Sequence, residues 1–264
     1  MAPSPSLLNL IATPGRSALT VNLRPRKIAP EVIWLPCAQE DPMAYNLLGL
    51  TANAYLLLLG RQAVAVDATS PFIIPLLHSI LREEKCTLSA LLLTHRHIAL
   101  AGKPQGQGLR DFKRAFPRAP VFLHPSDAEH EEGKVSGFVY DNPIGSALLS
   151  ALGVETWEFP GHTRGHVHYY LDRSGGVLCT GDSAVGAPMH RSEPGRDAMC
   201  RAPVPVNEDD GEAARQWSDF LHNSARPSIA TICPYHGKVY RNEMPRRVEF
   251  LLDQLRSPWP TVVP

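Results

Sequence analysis

The chain has 264 residues, and 26 Lys and Arg stand against 26 Asp and Glu, for a formal net charge of zero. That balance removes the broad positive field on which nucleic-acid and anionic-membrane binding rest, so neither partner is expected. The length suits one large domain or two small ones. Five cysteines, odd in number and without a Cys-x-x-Cys, argue against a disulfide framework and for a reducing compartment. The expected location is the cytoplasm, with an organelle matrix as the alternative. No apolar run reaches the length of a membrane span.

Residues 1–30 are set apart as a leader or extension. They carry Arg16, Arg24, Arg26 and Lys27, several serines and no acid before Glu31. A solvated leader is preferred to a transit peptide. Residues 31–264 are expected to form the domain proper. Its first strands are "EVIWLP" (Glu31–Pro36) and "NAYLLLLG" (Asn53–Gly60), the latter turning at Gly60-Arg61 into "RQAVAVDAT", which ends its alternation at Asp67. Pro71 opens a helix, and the strand "LSALLLTH" follows, ending at His95.

"GLRDFKRAFP" has the spacing of an amphipathic helix stopped by proline. "PVFLHP" is a short strand; "ETWEFPGHT", "VHYYLDR" and "GVLCTGDS" are three more, separated by turns. "EDDGEAARQWSDFLHNSA" is a helix with acids in its first turn. "SIATICPYH" is a buried strand ending on His236, and "NEMPRRVEFLLDQL" is the last helix. Gly186–Asn207, rich in Pro, Gly and Arg, is a long loop. The order predicts an α/β fold: two mixed sheets face to face with helices outside, a four-layer αβ/βα sandwich.

Four of these segments share one feature. A buried strand runs out at a histidine or an aspartate, giving His95 and His97, then His162, then Asp182, then His236. Strand ends are rigid places from which to aim side chains into one cleft. Imidazole nitrogens and carboxylate oxygens are what zinc or non-haem iron takes as ligands. A lone histidine of this kind is more often a hydrogen-bonded structural residue; the ordered set carries the inference.

The set resembles the metallo-β-lactamase-fold superfamily over most of the chain, from about Glu31 onward. "THRHIALAG" stands where that family has Thr-His-x-His-x-Asp-His-x-Gly. "FPGHTRGHVHYYL", "LCTGDSAVG" and "CPYHG" resemble its Pro-Gly-His-Thr-x-Gly-His, Thr-Gly-Asp and Pro-Gly-His-Gly segments. The resemblance implies that His95, His97 and His162 build a first metal site, that Asp182 bridges toward a second, and that His236 belongs to the second. It implies that Asp67 and His166 orient ligands. For His166 and His168 the competing reading is packing beside Tyr169 and Tyr170. Tyr235 is a candidate donor to an oxyanion, or packs beside His236.

One departure stands out. The family's Asp and His fall on Ala99 and Leu100, which leaves the second site only Asp182 and His236, too few for tight zinc binding. One metal is therefore expected, zinc first and iron as the alternative. The implied activity is hydrolysis of a small-molecule thioester, lactone or related ester by a single metal-activated water, with Asp182 substituting in part for the missing carboxylate. Two alternatives remain: a mononuclear iron oxygenase of the persulfide-dioxygenase kind, using His95, His162 and Asp182, and a disarmed protein that only binds ligand. The stretch Met43–Leu50 and the Gly186–Asn207 loop would floor and roof the cleft, unless Leu47, Leu48 and Leu50 simply fill the core. The sequence assigns no oligomeric state.

Overall fold

The computed structural model describes residues 24–37, 49–100, 106–135, 137–189, 199–202, 206–241 and 244–257, save the side chains of Ala99 and Leu100. Most of the leader, Leu47 and Leu48, and most of the Gly186–Asn207 loop lie outside these residues. So do the side chains at the two departing motif positions.

Two mixed sheets form the protein. The first runs in chain order: β1 (Arg26–Ala29), β2 (Val32–Cys37), β3 (Ala52–Leu59), β4 (Gln62–Val66), β5 (Thr87–Leu92) and β6 (Val121–Phe122). The first four pair antiparallel, and β5 and β6 join in parallel. Helix α1 (Ile74–Glu83) makes the crossover from β4 to β5. The second sheet has the order β11-β10-β9-β8-β7, from β7 (Val154–Glu158), β8 (Val167–Leu171), β9 (Val177–Gly181), β10 (Thr231–Pro234) and β11 (Tyr240–Arg241). Only β9 and β10 are parallel, with helix α6 (Asp210–His222) between them in sequence. The remaining helices are α2 (His97–Leu100), α3 (Gln107–Ala115), α4 (Pro125–Ala128), α5 (Ala147–Ala151) and α7 (Met244–Leu255).

The strand β3 shows why a run such as "AYLLLL" forms a strand with no polar face. Tyr55 and Leu57 point between the sheets, against Val167, Tyr169, Leu171 and Cys179. Ala54, Leu56 and Leu58 point the other way, into a layer closed by Leu77 and Leu81 of α1 and by Leu109 and Phe112 of α3. The outer face of the second sheet is covered alike, Tyr170, Leu178 and Ile232 packing with Trp217 of α6 and Val248 and Leu251 of α7. Strands buried on both faces lose the polar alternation of a half-exposed sheet. The expected four layers are present.

Several expectations need correction. Residues 26–29, assigned to the leader, form the edge strand β1, paired to β2 through Arg26 opposite Trp34. The strand β5 ends at Leu92, three residues short of His95. His97, expected where the strand runs out, opens the helical turn α2. Pro125 starts α4, where its missing N–H costs nothing, instead of ending a strand. Of the two readings left open for Leu50, its burial with Val185 and Ala202 favours core.

β4 and β5 are parallel and release their chain at one end of the first sheet, as β9 and β10 do in the second, and the two ends meet, with His95 Nε2 3.7 Å from Asp182 Oδ2. Polar bonds fix the two sheets together there. Asn53 donates through Nδ2 to Pro234 O (3.0 Å) and Gly237 O (2.7 Å) and accepts from Trp34 Nε1 (2.8 Å). Tyr55 OH donates to Pro234 O at 2.7 Å. The ends that carry Asp67, His95, Asp182 and His236 therefore open onto one place.

Candidate metal centre

His95 follows the buried run Leu91–Thr94, which is anchored from the second sheet: Val167 N donates to Thr94 O (2.9 Å) and Tyr169 OH to Leu93 O (3.0 Å). The helical turn at His97 then points that ring back toward His162, on the turn after β7. His97 Nδ1 and His162 Nε2 are 3.1 Å apart. Two nitrogens on one tetrahedral zinc sit about 3.4 Å apart for bonds of about 2.1 Å. The three rings are mutually near perpendicular: His95 to His97 at 88°, His95 to His162 at 86°, His97 to His162 at 89°. One ring nitrogen of each lies within 4.8 Å of those of the other two. His95 Nε2 is buried without a hydrogen-bond partner among the described residues, and Asp182 Oδ2 is 3.7 Å from it.

The far nitrogen of every ring is held. Thr94 Oγ1 lies 3.0 Å from His95 Nδ1, Asn207 Oδ1 lies 2.8 Å from His162 Nδ1, and Glu132 Oε2 lies 3.4 Å from His97 Nε2. Such partners fix the ring and its tautomer. For His95 to present a lone pair from Nε2, its proton must sit on Nδ1 and go to Thr94 Oγ1. Thr94 in turn donates its hydroxyl to Asp67 Oδ2 (3.0 Å), and its backbone N–H to Oδ1 (2.8 Å).

The electrostatics favour neutral rings. Burial pushes His95 well below the ordinary histidine range, helped by His162, His97 and His166. Burial alike brings His162 down to about 4, and burial together with Arg96 lowers His97. Neutral imidazole is the form that ligates. Asp182 behaves otherwise. Burial is the largest influence and works to raise its carboxyl, but the charge and hydrogen bond of His236, together with His162 and His97, bring the net direction down. His236 Nδ1 is 2.9 Å from both Asp182 oxygens. Asp67 is pushed up to about 8, by burial against the Thr94 hydrogen bonds.

The structure thus brings His95, His97, His162, Asp182 and His236 together, with Asp67 reaching the group through Thr94. These donors fit a metal ion: neutral imidazoles, an orphaned buried nitrogen and an ionised carboxylate beside it. His166 stacks on His95, ring centroids 5.3 Å apart, and neither of its nitrogens has a hydrogen-bond partner among the described residues. His168 is a packing residue: it stacks on Phe159 at 3.8 Å and bonds Ser183 Oγ at 2.6 Å. Tyr235 is buried in the apolar cluster of the first sheet, its ring 4.5 Å from that of His236 and 6.0 Å from that of His95. Thr94, Glu132 and Asn207 were not singled out from sequence. Thr94 lay inside the quoted motif; nothing local marks the other two.

Gly181, just before Asp182, has a left-handed backbone (φ 53°), and a Cβ there would fall 2.4 Å from Thr94 Oγ1 and 2.6 Å from His166 Nε2. Its bare Cα lets β9 end against the residue that orients His95.

No protein-family model matches the chain. A hydroxyacylglutathione hydrolase of Thermosynechococcus vestitus is 31% identical over 207 residues, 71% of this chain and 71% of the relative. An atrochrysone carboxyl ACP thioesterase of Aspergillus terreus is 28% identical over 56% of this chain and 46% of its own length. The alignment to another such hydrolase, of Edwardsiella ictaluri, spans 54% of that relative, about half its length. Among solved structures, the DIM-1 metallo-β-lactamase matches in fold with a TM-score of 0.64 at 16% identity, over 88% of this chain and 96% of that one. By its sequence relatives and by its fold, the chain belongs to the metallo-β-lactamase-fold superfamily.

Proposed function

We propose that the protein is a metal-dependent hydrolase of small-molecule thioesters that works with a single zinc ion. The observation that carries this reading is the convergence of His95, His97 and His162 on one point, with the ionised Asp182 beside them. The relatives named as a hydroxyacylglutathione hydrolase and a thioesterase support the substrate class. Lactones and other esters are the next classes to test. Ala99 and Leu100 offer no ligand atom where the family supplies two, which supports one ion rather than two.

His95, His97 and His162 would hold the ion, with Asp182 alongside. Zinc bound there supplies a water acidified to a pKa of about 7 and a Lewis acid for a carbonyl. The chain's own groups handle the rest. Asp182, kept ionised by His236, accepts the proton that the attacking water gives up. His236 holds both oxygens of that carboxylate, so it sets the direction of the acceptor. In the net reaction a C–O bond forms, the C–S bond breaks, and the thiolate leaves to be protonated as a thiol.

The test is elemental analysis of protein purified without added metal, followed by thiol release from a thioester panel. About one zinc per chain, with activity lost to a chelator and restored by zinc, supports the reading. Bound iron with oxygen consumption would convert it to the oxygenase. Ligand binding without metal or turnover would leave only the disarmed form.

A further inference from the structure

The most elaborate polar construction outside the metal ligands is centred on Asp127, at the start of α4. Its carboxylate is fully buried. A buried carboxylate is costly unless its lone pairs are filled. Here four donors fill about four lone-pair directions. Oδ2 accepts from Arg96 N (2.8 Å) and Thr163 Oγ1 (2.7 Å). Oδ1 accepts from Gly165 N (2.9 Å) and Arg96 Nη1 (3.2 Å).

The origin of those donors matters. Arg96 is the residue between His95 and His97. Thr163 and Gly165 follow directly on His162. One side chain, more than 30 residues from either loop, therefore ties together the two loops that carry the three imidazoles. The packing is built for the approach: a Cβ at Gly165 would lie 2.8 Å from Asp127 Cγ, and one at Gly133 would lie 1.8 Å from Asp127 O. The Arg96 guanidinium continues the link to Glu132 Oε2 (2.8 Å), the carboxylate facing His97, and to Glu208 Oε1 (2.5 Å), whose N–H donates to His162 O.

We infer that Asp127 is the positioning residue of the metal site, fixing the His95–His97 turn against the His162 turn so that the imidazoles converge before any ion arrives. The inference rests on the metal reading proposed above. It goes beyond that reading because none of the resembling motifs contains Asp127. Preorganisation of this kind appears as affinity and coordination geometry, since an ion need not order the loops itself.

The experiment uses Zn2+ and Co2+ alone as probes, on the full chain stripped with a chelator and reloaded. Asp127→Asn keeps the shape but turns an amide N–H toward donors. It should raise the zinc dissociation constant about ten- to hundredfold and alter the visible cobalt spectrum. Thr163→Val removes one donor and should move both readouts the same way by less. Leu77→Ala, a core truncation on α1, should lower the melting temperature and leave both readouts in place, separating positioning from general stability. If Asp127→Asn does not fold, Thr163→Val decides. Wild-type affinity and spectrum in the folded positional variants would overturn the inference; a wild-type chain that binds neither ion would overturn the metal reading itself.

Discussion

The two halves of the cleft are built differently. In the half formed by His95, His97 and His162, each ring is gripped at its far nitrogen while its near side is turned inward, and His95 Nε2 has no hydrogen bond among the described residues. In the other half His236 Nδ1 lies 2.9 Å from both oxygens of Asp182. The first half turns one ring nitrogen of each of three imidazoles to within 4.8 Å of the others, an arrangement that could hold a cation. The second sets a carboxylate against an imidazole. The difference lies in the partners: rings facing rings in one half, a carboxylate facing a ring in the other.

That contrast can be broken most sharply at His162. His162→Ala should take zinc content from about one ion per chain to none and turnover to background, read by elemental analysis and thiol release. His236→Ala should leave the ion in place. Asp182→Asn comes next: it should retain zinc but lose about 10²–10⁴-fold in kcat if its carboxylate is the proton acceptor.

Acid should expose the cost of the gripped half when metal is absent. An unfolded histidine takes up its proton near pH 6.5, whereas folded His162 resists until about 4. The stability this histidine contributes is complete above pH 6.5 and is lost as the pH falls toward 4, on the order of 3 kcal/mol. His95, His97, His166 and His168 shift in the same direction. Asp67, raised to about 8, works oppositely, since the folded form keeps a proton that the unfolded form has released. One aspartate against five histidines leaves a net fall on acidification. Denaturant titration in chelator at pH 7 and pH 5 checks it; equal stability would count against neutral, buried rings.

Thr94→Val, which cuts His95 from Asp67, should weaken zinc binding about tenfold by competition with a metal indicator. The smallest change sharpens the comparison. Ala99→Asp with Leu100→His restores two ligand types to the second half and should raise zinc content from about one to about two ions per chain. An unchanged content would mean that the Asp182–His236 pairing outcompetes the second ion.

Much of this architecture was legible in the chain. "NAYLLLLG" and "LSALLLTH" read as strands because burial on both faces leaves no polar beat, and the histidines marked the ends at which those strands release. Less legible was whatever depends on the partner rather than the residue. Arg26 and Lys27 look like a solvated leader until β2 offers them an edge to pair with. His97 could not be placed on a helical turn by a tetrapeptide with no cap signal. Asn207 and Asp127 become interesting only when a turn far away in sequence arrives beside them.

The absent side chain at residue 181 has a consequence for how this cleft can be altered. Even a methyl group there would overlap both the Thr94 hydroxyl and the His166 ring, so the smallest possible alteration would disturb two supports of His95 at once. That point of the floor tolerates no side chain, because the strand that delivers Asp182 passes directly against the residues beside His95.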